Sequence, residues 1–394
     1  LDADCGTYDA WYWAHPPMYQ DYGCYLPFTE RLKREVGIPV LSAGRLDLPG
    51  LGEKALQDGK LDMVVIGRGL LADPELPNKL MVGEEDRIRP CIACHDGCMG
   101  RMFIARPLSC AVNPAAGRED EYGIPPARVR KNVLIVGGGM AGMEAARVAS
   151  IRGHDVTLYE KRDKLGGHVI EGSVHDFKLA DRNLIKWYKT ELRELGIDVF
   201  LNTEITEKDI LDRRPDAVVV ASGSTPIKLK LPGIDDAKVC AAEDLLAGKK
   251  TAGNQVVVIG GGLVGCEAAL WLAKQGKEVK IVEALPEILR SGRPIPHMNR
   301  IMLIDLLKFH KVEAITNTSL LEVKKDGVVL IDKNFRQTSL KADTVVIAVG
   351  YKPDNKLYND LTGKIPELYN IGDSREAANI MNAIWDAYEV ARNI

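Results

Sequence analysis

The sequence predicts an α/β protein: a short parallel strand–helix repeat, then a cysteine-rich segment, then two Rossmann-like units, one set inside the other. Three observations carry this. A Gly-Gly-Gly-x-x-Gly stretch occurs twice, each time straight after an apolar strand run and straight before a helical one. Two earlier apolar runs each end in Gly-Arg, with one helical stretch between them. Between these halves lie Cys91, Cys94, Cys98 and Cys110, at spacing C-x2-C-x3-C-x11-C.

A chain of 394 residues is expected to form two or three domains. Its net charge of −3 provides no basic field for nucleic acid or an anionic membrane surface. No apolar run reaches the roughly 18 residues of a membrane-spanning helix, and the opening residues do not follow the pattern of a secretory leader. Leu1 stands where a Met would, so a fragment or processed product is expected. Eight cysteines in a chain this size do not read as a disulfide scaffold. A cytoplasmic location follows as the expectation, and homo-oligomerisation is left open.

In residues 1–90 the strand runs are Ile38 to Arg45 and Met63 to Arg68, with a helix expected from Pro49 to Asp58. Glycine lets a backbone amide approach an anion, and arginine forks onto it. Gly44-Arg45 and Gly67-Arg68 therefore suit a phosphate at the carboxyl ends of two parallel strands. In a (β/α)8 barrel the last two loops frequently do this. Two turn glycines with surface arginines is the alternative. A full barrel needs roughly 250 residues, so this stretch is at most its final units. The aromatic run Asp9 to Pro17 holds His15, a candidate catalytic residue; a structural turn is the competing reading.

Cys94 and Cys98 are four apart, so a helical turn is expected to put them on one face, with Cys91 a turn earlier and Cys110 returning by a loop. Three local thiols and one remote suit a 4Fe-4S cluster, with zinc as the alternative. Residues 119–130 read as a linker.

Asn132 to Val136 is a buried-strand run, followed by Gly137, Gly139 and Gly142, with Met140 and Ala141 opening the helix. The next strand, Asp155 to Tyr159, ends in Glu160-Lys161. This is the dinucleotide fingerprint in its required context: a tight turn, a close approach to pyrophosphate, an open helix N-terminus, and an acid for the ribose. The pattern returns with Gln255 to Ile259, then Gly260, Gly262 and Gly265, and a strand ending in Glu283. A carboxylate there repels a 2′-phosphate, which favours NADH over NADPH.

From these motifs, residues 131–394 resemble the two-dinucleotide flavoprotein disulfide reductases. Gly166 and Gly167 match the loop near the FAD adenosine and pyrophosphate. Ala221-Ser222-Gly223 and Ala348-Val-Gly350 match the two crossover strands, and Gly372-Asp373 matches the motif that binds the FAD ribityl. The order implies an FAD domain at 131–235 and 350–394, interrupted by an NAD(H) domain at 236–349. No closely spaced cysteine pair lies in either domain, so disulfide reduction is not expected.

With the cysteine spacing and the Gly-Arg loops added, the whole chain resembles the carboxyl two-thirds of NADH:flavin oxidoreductases of the Old Yellow Enzyme superfamily. The Trp-rich stretch is most similar to the enoate-reductase branch. The resemblance implies that residues 1–90 end an FMN-binding barrel and that residues 91–118 carry the cluster. It further implies a relay from NADH through FAD, cluster and FMN to a small enoate-type substrate. An amine dehydrogenase of the trimethylamine dehydrogenase type, and an electron-transfer module with no substrate of its own, are the alternatives.

Overall fold

The computed structural model describes residues 1–394. At the start, β1 (Asp2–Ala3), β2 (Leu41–Ser42) and β3 (Met63–Val64) form a small parallel sheet in that order. The ladders are shorter than the apolar runs. Pro39 cannot donate to a ladder, and Gly44 turns the chain away with φ +95°. A helix, Leu51–Gln57, packs back through Gly52 and Ala55, both buried. Its glycine is needed for contact: a Cβ on Gly52 would lie 3.0 Å from Val64 Cγ2.

The second region is a five-stranded parallel sheet built on β4 (Asn132–Val136), β5 (Asp155–Tyr159), β6 (Asp198–Phe200) and β7 (Ala217–Val220). Its spatial order is β18-β7-β4-β5-β6, where β18 is Glu367–Asn370. Continuous apolar runs such as Ala217–Val220 form the centre because helices cover both faces. The helix Met140–Ile151 is buried over almost its whole length, between the sheet and the C-terminal helix Ile380–Ala391.

The chain leaves this sheet through β8 (Ser224–Pro226), which pairs antiparallel with the returning β17 (Tyr351–Pro353). Between these crossings it forms a second parallel sheet of β9 (Val239–Ala241), β10 (Gln255–Ile259), β11 (Glu278–Val282), β12 (Glu313–Ile315) and β16 (Thr344–Ile347). The order there is β12-β11-β10-β16-β9. An antiparallel meander of β13 (Thr318–Lys324), β14 (Gly327–Asp332) and β15 (Gln337–Lys341) flanks it. Both sheets are the strand–helix–strand units that the glycine spacing predicts.

The segment read as a linker is fastened. It contains a helical turn, Glu119–Tyr122, and the Tyr122 ring stacks on Tyr388 at 6.4 Å between centroids. A buried polar knot joins three regions: Lys178 Nζ lies 3.0 Å from Glu267 Oε1, which also accepts from the Tyr19 hydroxyl at 2.8 Å.

Candidate functional site

The first glycine-rich turn is compressed to the limit. Gly137 has φ +105°, and a Cβ there would lie 2.2 Å from the Ala221 carbonyl oxygen. A Cβ on Gly142 would lie 1.8 Å from Gly137 O, so helix and turn touch backbone to backbone. Gly139 caps the helix Met140–Ile151 with no side chain on its amides, which leaves that N-terminus open to an anion. Gly166 N–H donates to Gly138 O at 2.8 Å, laying the Gly166–Gly167 loop over the turn. Glu160 is buried and accepts from Gly138 N–H at 2.6 Å and Arg162 N–H at 2.7 Å. Lys161 is exposed beside it. Ser222 Oγ donates to Asp354 O at 2.6 Å, and Gly223 has φ +83°, fixing the crossover. Gly372 packs on Ala141, and Asp373 accepts from Ser224 Oγ at 3.2 Å and Ala378 N–H at 3.1 Å.

The second unit repeats this geometry. A Cβ on Gly260 would lie 2.3 Å from Ala348 O, and one on Gly265 would lie 2.0 Å from Gly260 O. Gly262 caps the helix Leu263–Lys274, again with no side-chain cap. Glu283 is buried and accepts from Gly261 N–H at 2.7 Å and Leu285 N–H at 2.8 Å. Gly350, with φ +103°, turns the chain back to the crossover. A cavity of about 1010 Å³ opens between the units, lined by Gly260, Gly262 and Glu283, by Tyr351 and Asp373, and by Cys94.

The cysteine segment corrects the helical expectation. Residues 91–95 are irregular, and helix begins only at Met99. Ala93 (φ +49°) and His95 (φ +63°) take left-handed turns. That turning aims backbone amides of Ala93, Asp96 and Met99 at the sulfurs of Cys91, Cys94 and Cys98, while Val112 and Asn113 serve Cys110. All four thiols line one enclosed cavity. Gly97 lets the returning loop approach: a Cβ there would lie 2.5 Å from Ala111 N. Trp385 Nε1–H holds Cys110 O at 3.0 Å. Burial raises each thiol pKa, Cys91 to about 12. No three side chains converge closely enough to hold one metal ion. Four thiols spread around a cavity suit a cluster in which each binds its own iron, and the amides aimed at sulfur favour thiolate.

A third cavity, of about 300 Å³, is lined by His15, Gly44, Arg45, Gly67 and Arg68 on one side and by Cys91 and Cys98 on the other. Arg45 departs from its expected role. Its Nη1 donates to the carbonyls of Met18 (3.1 Å), Pro17 (3.4 Å) and Gln20, and its guanidinium lies 4.1 Å over the Tyr22 ring. That end of the fork is spent on backbone. Gly67 has an ordinary φ of −99°, so no left-handed turn explains it. Arg68 reaches His95 instead, Nη1 to Nε2, at 2.8 Å. His15 is partly buried, and burial followed by the Arg68 charge lowers its pKa. Sequence reasoning missed His95, although it stands inside the cysteine motif. It had no signal for Asn299, Tyr19 or Lys178, which arrive from distant segments.

Two glycine-rich cradles, each with a buried acid at the end of its second strand, define a two-dinucleotide oxidoreductase. Residues 131–385 match the model of the pyridine nucleotide-disulphide oxidoreductases, and the chain belongs to that family. The match supports FAD and NAD(H) as the bound dinucleotides. Over its whole length the chain is 50% identical to cinnamate reductase of Clostridium sporogenes, covering 59% of that protein. It is 37% identical to NADH oxidase of Thermoanaerobacter brockii, covering all of this chain and 61% of that one. The solved 2-naphthoyl-CoA reductase superposes with a TM-score of 0.91 at 35% identity, over 97% of this chain and 58% of the other. The chain thus spans about three-fifths of the length of these relatives. The resemblance to enoate-reductase-type flavoproteins read from the sequence agrees with them. No helix is long and apolar enough to cross a membrane.

Proposed function

We propose that this chain is the NADH-oxidising and electron-relaying part of an iron–sulfur flavoprotein that reduces an enoate-type, α,β-unsaturated substrate. One observation carries the reading: a single cavity touches Glu283 of the second unit, Asp373 of the first, and Cys94 of the cysteine segment. When bound, FAD accepts hydride from NADH, a 4Fe-4S cluster passes single electrons, and FMN delivers hydride to the substrate.

The chain's own residues bind and orient. Gly260, Gly262 and Gly265 shape the NADH pyrophosphate cradle, and Glu283, pinned by two amides, faces the adenosine ribose. Gly137, Gly139, Gly142 and Glu160 do the same for FAD, with Asp373 at the ribityl. Cys91, Cys94, Cys98 and Cys110 hold the cluster. The strand–helix repeat of residues 1–90 is the end of a barrel. Its FMN phosphate contacts fall to the backbone at Gly44 and Gly67 and to Arg68, since Arg45 is turned inward. His15 stands in that same wall as the candidate catalytic group. The intact second cradle favours nicotinamide as the electron source over an amine dehydrogenase reading.

An anaerobic NADH titration followed by visible absorbance, with iron and flavin counted on the same sample, tests this. Flavin bleaching by NADH in preference to NADPH, with about four irons per chain, is expected. Flavin that stays oxidised under excess NADH overturns the direction of flow, and zinc in place of iron removes the relay.

A further inference from the structure

Two cavities flank the cysteine segment. The large one is lined by Asn299 and Cys94, and the N-terminal one by Arg68, Cys91 and Cys98. A single line of hydrogen bonds runs between them. Asn299, in the helix His297–Phe309, donates from Nδ2 to Ala93 O at 3.2 Å. This fixes the amide, so Oδ1 is the atom that faces His95 Nδ1 at 2.7 Å. On the far side, His95 Nε2 lies 2.8 Å from Arg68 Nη1. A guanidinium has donors and no acceptor, so His95 Nε2 accepts. The ring proton therefore sits on Nδ1 and goes to Asn299. Every donor and acceptor along the line is assigned.

The backbone agrees with a ring held for a purpose. His95 has φ +63°, a conformation that costs a residue with a Cβ, and its side chain is buried. Both ring nitrogens are bonded, which secures the ring in that turn. Arg68, at the end of the line, lines both the thiol cavity and the N-terminal cavity.

We propose that His95 is a positioning residue: it holds the Arg68 guanidinium between the thiol cavity and the N-terminal cavity, and Asn299 of the nicotinamide unit fixes the tautomer that lets it do so. The inference rests on the reading of the four thiols as cluster ligands. A cation fixed at that wall stabilises added negative charge on either side of it. The seating of the NAD(H) domain, through Asn299, thereby reaches a charge in the cavity beyond the cysteines.

The test is an anaerobic redox titration of the iron–sulfur flavoprotein, with the cluster followed by electron paramagnetic resonance and iron counted on each sample. His95→Phe and Arg68→Gln are each expected to move the cluster to lower potential. Because His95 acts through Arg68, the double variant moves no further than Arg68→Gln alone. Asn299→Leu leaves His95 and Arg68 in the chain and moves the potential the same way by less; it is read also where His95→Phe loses iron. Additive shifts in the double variant, or an unmoved potential in Asn299→Leu, overturn the proposal. A lack of iron in the unaltered protein instead removes the cluster reading beneath it.

Discussion

Glu283 is buried yet makes no ion pair. Its two carboxylate oxygens each take one backbone amide, from Gly261 and Leu285. This holds the carboxylate at the end of β11, where a dinucleotide fold presents an acid to the ribose. Glu283→Ala is expected to weaken NADH by about 1.5–3 kcal/mol, the worth of hydrogen bonds to a charged group. That is a loss of roughly tenfold or more in affinity. NADPH, which no longer meets a like charge, is expected to lose less, so the preference narrows. Binding of each nucleotide, followed by fluorescence titration, measures this; an unchanged NADH affinity places the ribose elsewhere. Glu160 makes the matching pair of bonds with Gly138 and Arg162. The two acids were legible in the sequence because everything that places them lies within one strand–turn–helix–strand unit. Arg45 was misread because its partners, the carbonyls of Met18 and Gln20, belong to a loop whose path no local pattern announces.

At the level of elements, the helix Leu179–Glu194 and the turn before it meet the helix Leu263–Lys274 through a buried knot of polar groups. Lys178 sits between Glu267 (3.0 Å) and Asp181 (3.6 Å), and the Tyr19 hydroxyl closes on Glu267. Beside them His175 is buried, stacked on Phe177 at 5.0 Å, and edge-on to Trp271 at 6.0 Å. Burial pushes its pKa down from 6.5 to about 4, with Lys178 and Arg182 adding to the drop and Glu267 and Asp176 opposing it. The unfolded chain binds this proton at higher pH than the folded one. Stability is therefore full above about pH 6.5 and is lost as pH falls toward 4, by on the order of 3 kcal/mol at about 1.4 kcal/mol per pKa unit. Urea midpoints at pH 7.5 and pH 5 measure the slope. His175→Phe, which keeps the stacking surface, is expected to flatten it; an equally steep slope in that variant assigns the acid sensitivity to another group. None of this knot was legible, because Tyr19, Lys178 and Glu267 come from three regions and each reads alone as a surface polar residue.

For the molecule as a whole, the order of the chain sets the parts of the proposed relay side by side. Two sheets of the same design are built in turn, and one cavity is walled by strands of the second, by Asp373 of the first unit and by Cys94 and Asp96 of the cysteine segment. The repeat of the design was plain in the sequence, since glycine positions and strand runs recur at matching spacing. The shape of the closing segment was not. The four thiols were legible as a set, but their i,i+4 spacing pointed to a helix that the left-handed turns at Ala93 and His95 exclude. Those turns serve the sulfurs, and no helical pattern could aim so many amides at them. The proposed relay implies a separable failure. Cys94 is the thiol that borders both the large cavity and the thiol cavity, so removing it interrupts the path after the first unit while leaving both glycine cradles intact. Cys94→Ser is expected to keep bleaching of the first flavin by NADH within about twofold, since no hydride contact is altered. On the proposed relay, iron content and onward reduction of an enoate-type substrate are expected to fall together, by at least the roughly 10-fold that loss of an outer-shell partner costs a metal site. Stopped-flow absorbance at the flavin band, run beside substrate turnover, separates the two steps. Loss of flavin bleaching in this variant makes the cysteine segment part of the nicotinamide site; full turnover without iron takes electrons past it by another path.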